Sequence, residues 1–406
     1  MTGSRSARSP GRRALLLGSA PWAWRAAART GLPAVRIGVL WDGSAVGLAA
    51  SGQDHLVAAR LAVNDFGYLS RGYPVELVDA EFDRRPDRAV AIARKWFDEA
   101  NVAAIVDLPG NVAPMQVQDV ARTAKRTVMN TSSLNSALTG TGCAPTASHW
   151  MDDTIGLTRT MALGMASRGV GTWFLVVPDD PASIAFQADA TAAIESTGGR
   201  VVGFIRHPSD SMVFARPLAA ARDSAAAAIG LCSTGAGLIA QIRQAREMGL
   251  LDAGKEICAF AATIRDIHQV GPLAARELWV GTGFYWNRNE KTRLFSRRFL
   301  EISGRMPDKP HAATYAAILQ FLRLVDALDS TNAETLNDAM RRDSLYFFGE
   351  SGRMRLNGRV MLDMGLYRVK APDAVREPWD YYEPVKTIPA VEVWRGRPKA
   401  GCALMP

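Results

Sequence analysis

The chain has 406 residues, 48% hydrophobic and 22% charged, without a low-complexity tract; this excludes a disordered or fibrous protein and is too long for one ordinary core. Its formal charge of +8 is weighted to the start: residues 1–28 hold five arginines (Arg5, Arg8, Arg12, Arg13, Arg25) and no acid, and subtracting these leaves +3. Basicity is therefore no argument for nucleic-acid binding.

The opening MTGSRSARSPGRR is basic, and ALLLGSAPWAW after it is an apolar run of the roughly 7–15 residues expected in a secretory signal. Ala26, Ala27 and Ala28 offer small residues for cleavage, and Arg12-Arg13 gives the segment some likeness to a twin-arginine signal. Pro21 and Arg25 interrupt the run well before the roughly 18 apolar residues of a membrane anchor. Residues 1–28 are thus expected to be an export signal, a disordered basic tail being the alternative. The four cysteines, Cys143, Cys232, Cys258 and Cys402, form no C-x-x-C pair, which argues against a zinc or thiol-redox motif. Cys232 and Cys258 fall in apolar runs, whereas Cys143 and Cys402 fall in loop-like settings and are the candidates for a disulfide in an exported protein.

In chain order, VRIGVLWDG (from Val35) reads as a buried strand and SGQDHLVAARLAVNDFG as an amphipathic helix stopped by Gly67. PVELVDAEFD predicts a strand, and PDRAVAIARKWFDEA a helix with Pro86 at its start. VAAIVDLPG, VAPMQVQDVARTAK and RTVMN continue the alternation. It restarts beyond HWMDDT with a helix near Ile155–Ser167 and then TWFLVVPDD, ASIAFQADATAAIESTGG, RVVGFIRH, AAAAIGLCS, GAGLIAQIRQAREMG and EICAFAAT. ELWVGTGFYW predicts one more strand, followed by helices in KTRLFSRRFLEIS, HAATYAAILQFLRLVDAL and AETLNDAMRR. From Gly352 the pattern turns to antiparallel hairpins, with Asn357-Gly358 as a turn signal. Repeated β-α units predict an α/β protein of two Rossmann-like lobes, each a parallel sheet covered by helices.

Ligands of such sheets sit at the carboxyl ends of the strands. This directs attention to the loops Trp41–Gly52, Leu108–Ala113, Asn130–Asn135, Pro178–Ser183, Cys232–Gly237 and Thr263–His268. Central among them is NTSSLNSALTGTGCAPTASHWMDDT (from Asn130), where Ser132 and Ser133 offer hydroxyls and backbone N–H groups for an anion. The same stretch is expected to make the first crossing between the lobes. No phosphate loop, H-E-x-x-H or G-x-S-x-G motif occurs, and the five histidines lack metal spacing. Asp152-Asp153 and Asp179-Asp180 are candidate carboxylate pairs for acid–base work or, more blandly, helix caps. His149 and His268 flank candidate cleft loops. Trp41, Trp150, Tyr285 and Trp286 are candidates for stacking on a planar ligand, with core packing as the alternative.

In IGVL, AARLAVNDFG, VAAIVDLPGNVA, LTGTGCAPTASHWMDDT, GTWFLVVPDD, RHPSD, GFYWNRNEKTRLFSRRF, GRMRLNGRVMLDMGLYRVK, PWDYYEPVKTIP and the final GCALMP, the chain resembles the type I periplasmic binding proteins. Within them it is most similar to the branched-chain amino acid substrate-binding family of ABC transporters. The resemblance implies lobes of 34–150 plus 278–350 and 151–277 plus 351–390, with a tail at 391–406. It implies a non-enzymatic periplasmic receptor without cofactor or metal, a monomer partnered by an inner-membrane permease, closing on a small amino acid-like or aromatic carboxylate. By the same resemblance, carboxylate binding falls to Asn111, Thr131, Ser132 and Ser133; Trp41, Trp150, Asp152, Asp180, Ser233 and Tyr285 are the other expected ligand-binding residues. Departures are also visible. The D-Y-x-x-G loop reads Asp179-Asp180-Pro181-Ala182-Ser183, and Asp152 stands where the subgroup has tyrosine. The loop after Cys232 lacks an acid at Gly237. A cationic or hydroxyl-rich ligand therefore stays open, as do a sensor for a membrane signalling receptor, a divergent paralogue, and an enzyme using Asp152 or Asp180 with His149 or His268.

Overall fold

A computed structural model describes residues 33–43, 52–67, 72–395 and 401–405; the expected export signal and part of the tail lie outside them. In the first lobe, strands β1 (Val35–Trp41), β2 (Val75–Glu81), β3 (Val102–Asp107), β4 (Thr127–Asn130) and β5 (Ala147–His149) form a parallel sheet in the order β2-β1-β3-β4-β5. β3 is buried at every position, as a strand covered on both faces must be. Helices α1 (Gly52–Phe66), α2 (Pro86–Asp98) and α3 (Val112–Ala124) cover this sheet. α2 starts on Pro86 and buries Ala89, Ala93 and Phe97, a stripe at i, i+4, i+8.

The second lobe repeats the plan. Helix α4 (Thr154–Ala166) leads in. Strands β6 (Thr172–Pro178), β7 (Arg200–His207), β8 (Ala228–Leu231), β9 (Glu256–Ala259) and β10 (Trp279–Thr282) then pair in parallel in the order β7-β6-β8-β9-β10. Helices α5 (Pro181–Glu195), α6 (Ala215–Asp223), α7 (Gly235–Glu247), α8 (Ile264–Val270) and α9 (Pro272–Ala275) connect these strands. The chain then returns to the first lobe through α10 (Glu290–Ser303), α11 (Lys309–Leu328) and α12 (Ala333–Arg342), with α10 and α11 packed on α1. A small antiparallel sheet of β11 (Leu345–Phe347), β12 (Glu350–Met354) and β13 (Val360–Met361) follows. Finally β14 (Met364–Val369) and β15 (Tyr382–Ile388) extend the second sheet antiparallel beyond β10.

Two crossings differ from the expected division. Trp279–Thr282 pairs with β9 and β14, so the second crossing follows Thr282 instead of preceding residue 278. Residues 350–361 pair with β11, and β12 packs on α12, so the third crossing lies just before Met364 and not at residue 351. Asn357-Gly358 does turn the β12–β13 hairpin; Gly358 has φ +86°, and a Cβ there would lie 2.4 Å from the Ala147 carbonyl oxygen.

Among the described residues three crossings link the lobes, and the adjacent Asp152 and Asp153 bind them together. Asp152 Oδ2 accepts from the Gly283 N–H at 2.7 Å and its Oδ1 pairs with Lys309 Nζ at 2.9 Å. A Cβ on Gly283 would come within 2.7 Å of Asp152 Oδ1 and 2.9 Å of Lys309 Nζ, so a larger residue there would have to displace this buried ion pair. Asp153 accepts from the Gly156 N–H at 2.9 Å, capping α4, and pairs with Arg359 at 3.0 Å. Cys143 is bonded to Cys402 with Cα atoms 5.6 Å apart, while Cys232 and Cys258 are free and buried.

Candidate functional site

Both sheets place their topological switch points, β1/β3 and β6/β8, toward one cleft between the lobes, as the rule for open α/β sheets requires. The cleft has a volume of about 710 Å³. From the first lobe Asp42, Arg84, Gly110, Asn111 and Ser132 line it; from the second come Asp180, His207, Asp210, Ser233 and Thr234. Two helix N-termini open on it, α3 behind Asn111 and α7 behind Thr234, and neither has a side-chain cap. Their first N–H groups and dipoles favour negative charge. A third helix start, α5, is closed: Asp180 accepts from the Ser183 N–H at 3.0 Å and its hydroxyl at 2.8 Å.

Of the expected ligand residues, the structure brings Asn111, Ser132, Asp180 and Ser233 to the cleft. The others are engaged elsewhere. The Thr131 hydroxyl bonds that of Thr314 at 2.7 Å, and the Ser133 hydroxyl donates to the Gly110 carbonyl at 2.6 Å. Trp41 donates to Asp79 at 3.2 Å and packs on the first lobe's core. Trp150 is fully buried and donates to Ser148 at 2.9 Å. Asp152 and Tyr285 line a separate inner cavity of about 30 Å³ together with Thr263 and Lys309. Tyr285 donates to Asp380 at 3.3 Å and packs on Tyr367 and Tyr382. The Thr263–His268 loop, expected at the cleft, faces this inner cavity instead, and His268 stacks on Trp379 with centroids 3.8 Å apart.

The candidate acid–base groups are likewise committed. His149 is buried between the Ser133 carbonyl, 2.8 Å from Nε2, and Arg359 Nη1, 3.3 Å from Nδ1. Because arginine only donates, Nδ1 accepts, Nε2–H donates, and the ring is neutral; burial, then Arg359, hold its pKa well below the usual imidazole range. Burial also lowers the Lys309 pKa, opposed by its Asp152 partner.

The cleft's own polar groups are arranged in two small networks. On the second lobe, His207 Nδ1–H donates to the Pro208 carbonyl at 2.8 Å, which leaves Nε2 to accept from Gln241 Nε2 at 2.9 Å. The other Gln241 N–H reaches the Ser233 oxygen at 2.8 Å. Ser233 thus receives a proton on its oxygen and keeps its own to offer, with His207 Nε2 3.5 Å away. On the first lobe, Ser132 bonds to Asp107, which ends β3 in the left-handed region at φ 79°. His207, Asp42, Arg84 and Thr234 were not among the expected residues. Asp42 and Thr234 lie inside loops the strand-end rule singles out, whereas His207 ends an edge strand with no loop signal of its own.

The periplasmic binding protein family profile matches residues 34–374, and the chain belongs to this family: it is a two-lobed solute-binding protein of the type I class. Among solved structures it is similar to a periplasmic binding protein from Burkholderia mallei, at 30% identity and TM-score 0.84, over 92% of this chain and 99% of that one. It is equally similar to a branched-chain amino acid ABC transporter periplasmic ligand-binding protein from Burkholderia xenovorans LB400, at 30% identity and TM-score 0.86, over 91% and 99%. An ABC transporter solute-binding protein from R. palustris in complex with benzoate shares the fold at 16% identity and TM-score 0.76, over 91% and 99%. No curated protein sequence matches the chain.

Proposed function

We propose that the chain is the periplasmic receptor of an ABC transporter, closing its lobes on a small organic carboxylate and delivering it unchanged to a membrane permease. The observation that carries this reading is the two-sided donor lining of the cleft, with Ser132 and the uncapped α3 on one lobe and Ser233 and the uncapped α7 on the other. A carboxylate touching both sides stabilises the closed form by its differential affinity, which is all the mechanism needs. The Burkholderia and R. palustris relatives, named for branched-chain amino acids and benzoate, support an amino acid-like or aromatic carboxylate. An acid–base enzyme is disfavoured because Asp152, Asp153 and His149 are spent on one another's neighbours at the crossings.

The test is a thermal-shift screen of the mature chain against amino acids, benzoates, polyamines and sugars. A carboxylate at 100 times its Kd adds about 2.7 kcal/mol of stability. Ser132→Ala and Ser233→Ala are expected to weaken its binding, while Ser133→Ala is expected to lower stability without changing which compounds bind. A hit confined to cations would overturn the carboxylate assignment and point to Asp42, Asp180 and Asp210 along the same cleft. Turnover of the bound compound would overturn the receptor reading.

A further inference from the structure

Asp107 lies directly behind the cleft hydroxyl of Ser132. It is fully buried, and its Oδ1 contacts Ser132 Oγ while its Oδ2 has no hydrogen-bond partner among the described residues. His55 Nδ1, from α1, approaches the same Oδ1 to 3.1 Å but is not aligned for a hydrogen bond. Behind His55 stand His311, stacked on it with centroids 4.5 Å apart, and Asp308, 2.5 Å from His311 Nδ1. From the second lobe, Arg265 pairs with Asp54 at 2.8 Å and comes within 3.9 Å of Asp308. On the cleft side Asp42, which directly follows β1, acts on Asp107 as a like charge. No cation contacts the Asp107 carboxyl among the described residues, so an ionised Asp107 is an uncompensated buried charge.

The two cleft serines are thereby distinguished. Ser233 receives a hydrogen bond from Gln241 and keeps its own proton for a ligand. Ser132 does the same only if Asp107 is the donor. With Asp107 ionised, Ser132 must give its proton to Asp107, turning lone pairs toward the ligand in front of a buried negative charge. We propose that Asp107 is a positioning residue that sets the polarity of Ser132: neutral, it donates to Ser132 Oγ and frees that hydroxyl to donate to a carboxylate ligand, so ligand uptake is linked to a proton. Burial first, and then the Asp42 charge, push Asp107 up to about 8 against the opposing bond from Ser132. His55 is no competing site for that proton, since burial, His311 and Arg265 hold it well below the usual range. This inference rests on the carboxylate-receptor reading.

Two measurements on the full mature chain test it. In the ligand-free protein, carboxyl carbon NMR with labelled aspartate, comparing wild type and Asp107→Asn, is expected to find one aspartate still neutral near pH 6 that the variant lacks. Wild-type and variant spectra that show the same neutral aspartates there overturn the proposal. Second, the tightest binder among leucine, benzoate and 4-hydroxybenzoate is titrated calorimetrically at about pH 6 and about pH 9. Affinity is expected to fall about tenfold in wild type, with proton uptake visible as a buffer-dependent heat. Asp107→Asn, which has no titrating proton at this position, is expected to hold one affinity across this range. A purely structural role for Asp107 would give a pH-independent loss instead. Equal pH dependence in both chains, or none in wild type, overturns the proton linkage and leaves the receptor reading standing. Failure of every carboxylate to bind overturns both.

Discussion

Asp107 ties protonation to stability as well as to the cleft. Its folded pKa of about 8 lies above the roughly 3.9 of an aspartate in an unfolded chain. Between these values the folded chain holds a proton that the unfolded chain has released. The contribution of this group is therefore fully present below the unfolded value and is lost as pH rises through the folded one. Relative to Asp107→Asn, wild type should lose stability at about 1.4 kcal/mol per pH unit across that window. Urea unfolding of both chains at several pH values measures the slope, and parallel curves would mean that Asp107 is not held neutral. The site is only partly legible at this scale. Ser132 is recognisable from its place at a strand end, but Thr131 and Ser133 share that signal, and the structure turns their hydroxyls to Thr314 and Gly110. Nothing in a run of small hydroxyl residues states which side chain faces the cleft.

At the scale of elements, the adjacent acids Asp152 and Asp153 read as cleft or catalytic groups in the sequence, yet they serve the crossings. Asp152 and Lys309 are only 3% and 4% exposed, so removing one partner leaves a buried charge uncompensated. Asp152→Ala is expected to cost about 3–5 kcal/mol of stability by that mechanism, read from denaturant midpoints, with the ligand preference unchanged. A variant of near wild-type stability with altered preference would return Asp152 to the cleft. The partners Gly283 and Lys309 are 131 and 157 residues away in the chain, which no local pattern reveals. The β-α alternation, by contrast, is local. Apolar runs such as Val102–Asp107 are strands because both faces are covered, and helix starts carry Pro86, Asp180 and Asn289 as their marks. What escapes is sheet membership. Trp279–Thr282 reads as a strand whichever lobe owns it, and only its pairing with β9 and β14 decides. Short elements escape too: β5 has three residues, and α6 is preceded by Phe214, which gives no side-chain cap signal.

Across the whole molecule, the chain's end supplies a tie additional to the three crossings. β15 belongs to the second lobe's sheet, and Trp394 beyond it packs in that lobe's core and over Arg359. Cys402 then bonds back to Cys143, which follows β4 in the first lobe and stands 259 residues away. A link spanning so much chain constrains the unfolded state strongly, and loss of a native disulfide typically costs about 2–5 kcal/mol. Cys143→Ser and Cys402→Ser are therefore expected to lower the denaturation midpoint by the same amount, singly or together, because each alone breaks the bond. Thiol counting provides the independent check. The free Cys232 and Cys258 are buried, burial pushing the Cys232 thiol up to about 12 and the Cys258 thiol well above the usual thiol range, so the native protein should resist alkylation. Unfolding without reductant should expose those two thiols, and reduction should expose all four cysteines. Four reactive thiols in the unreduced, unfolded chain would refute the bond, and additive losses in the double variant would show that each cysteine acts by packing alone.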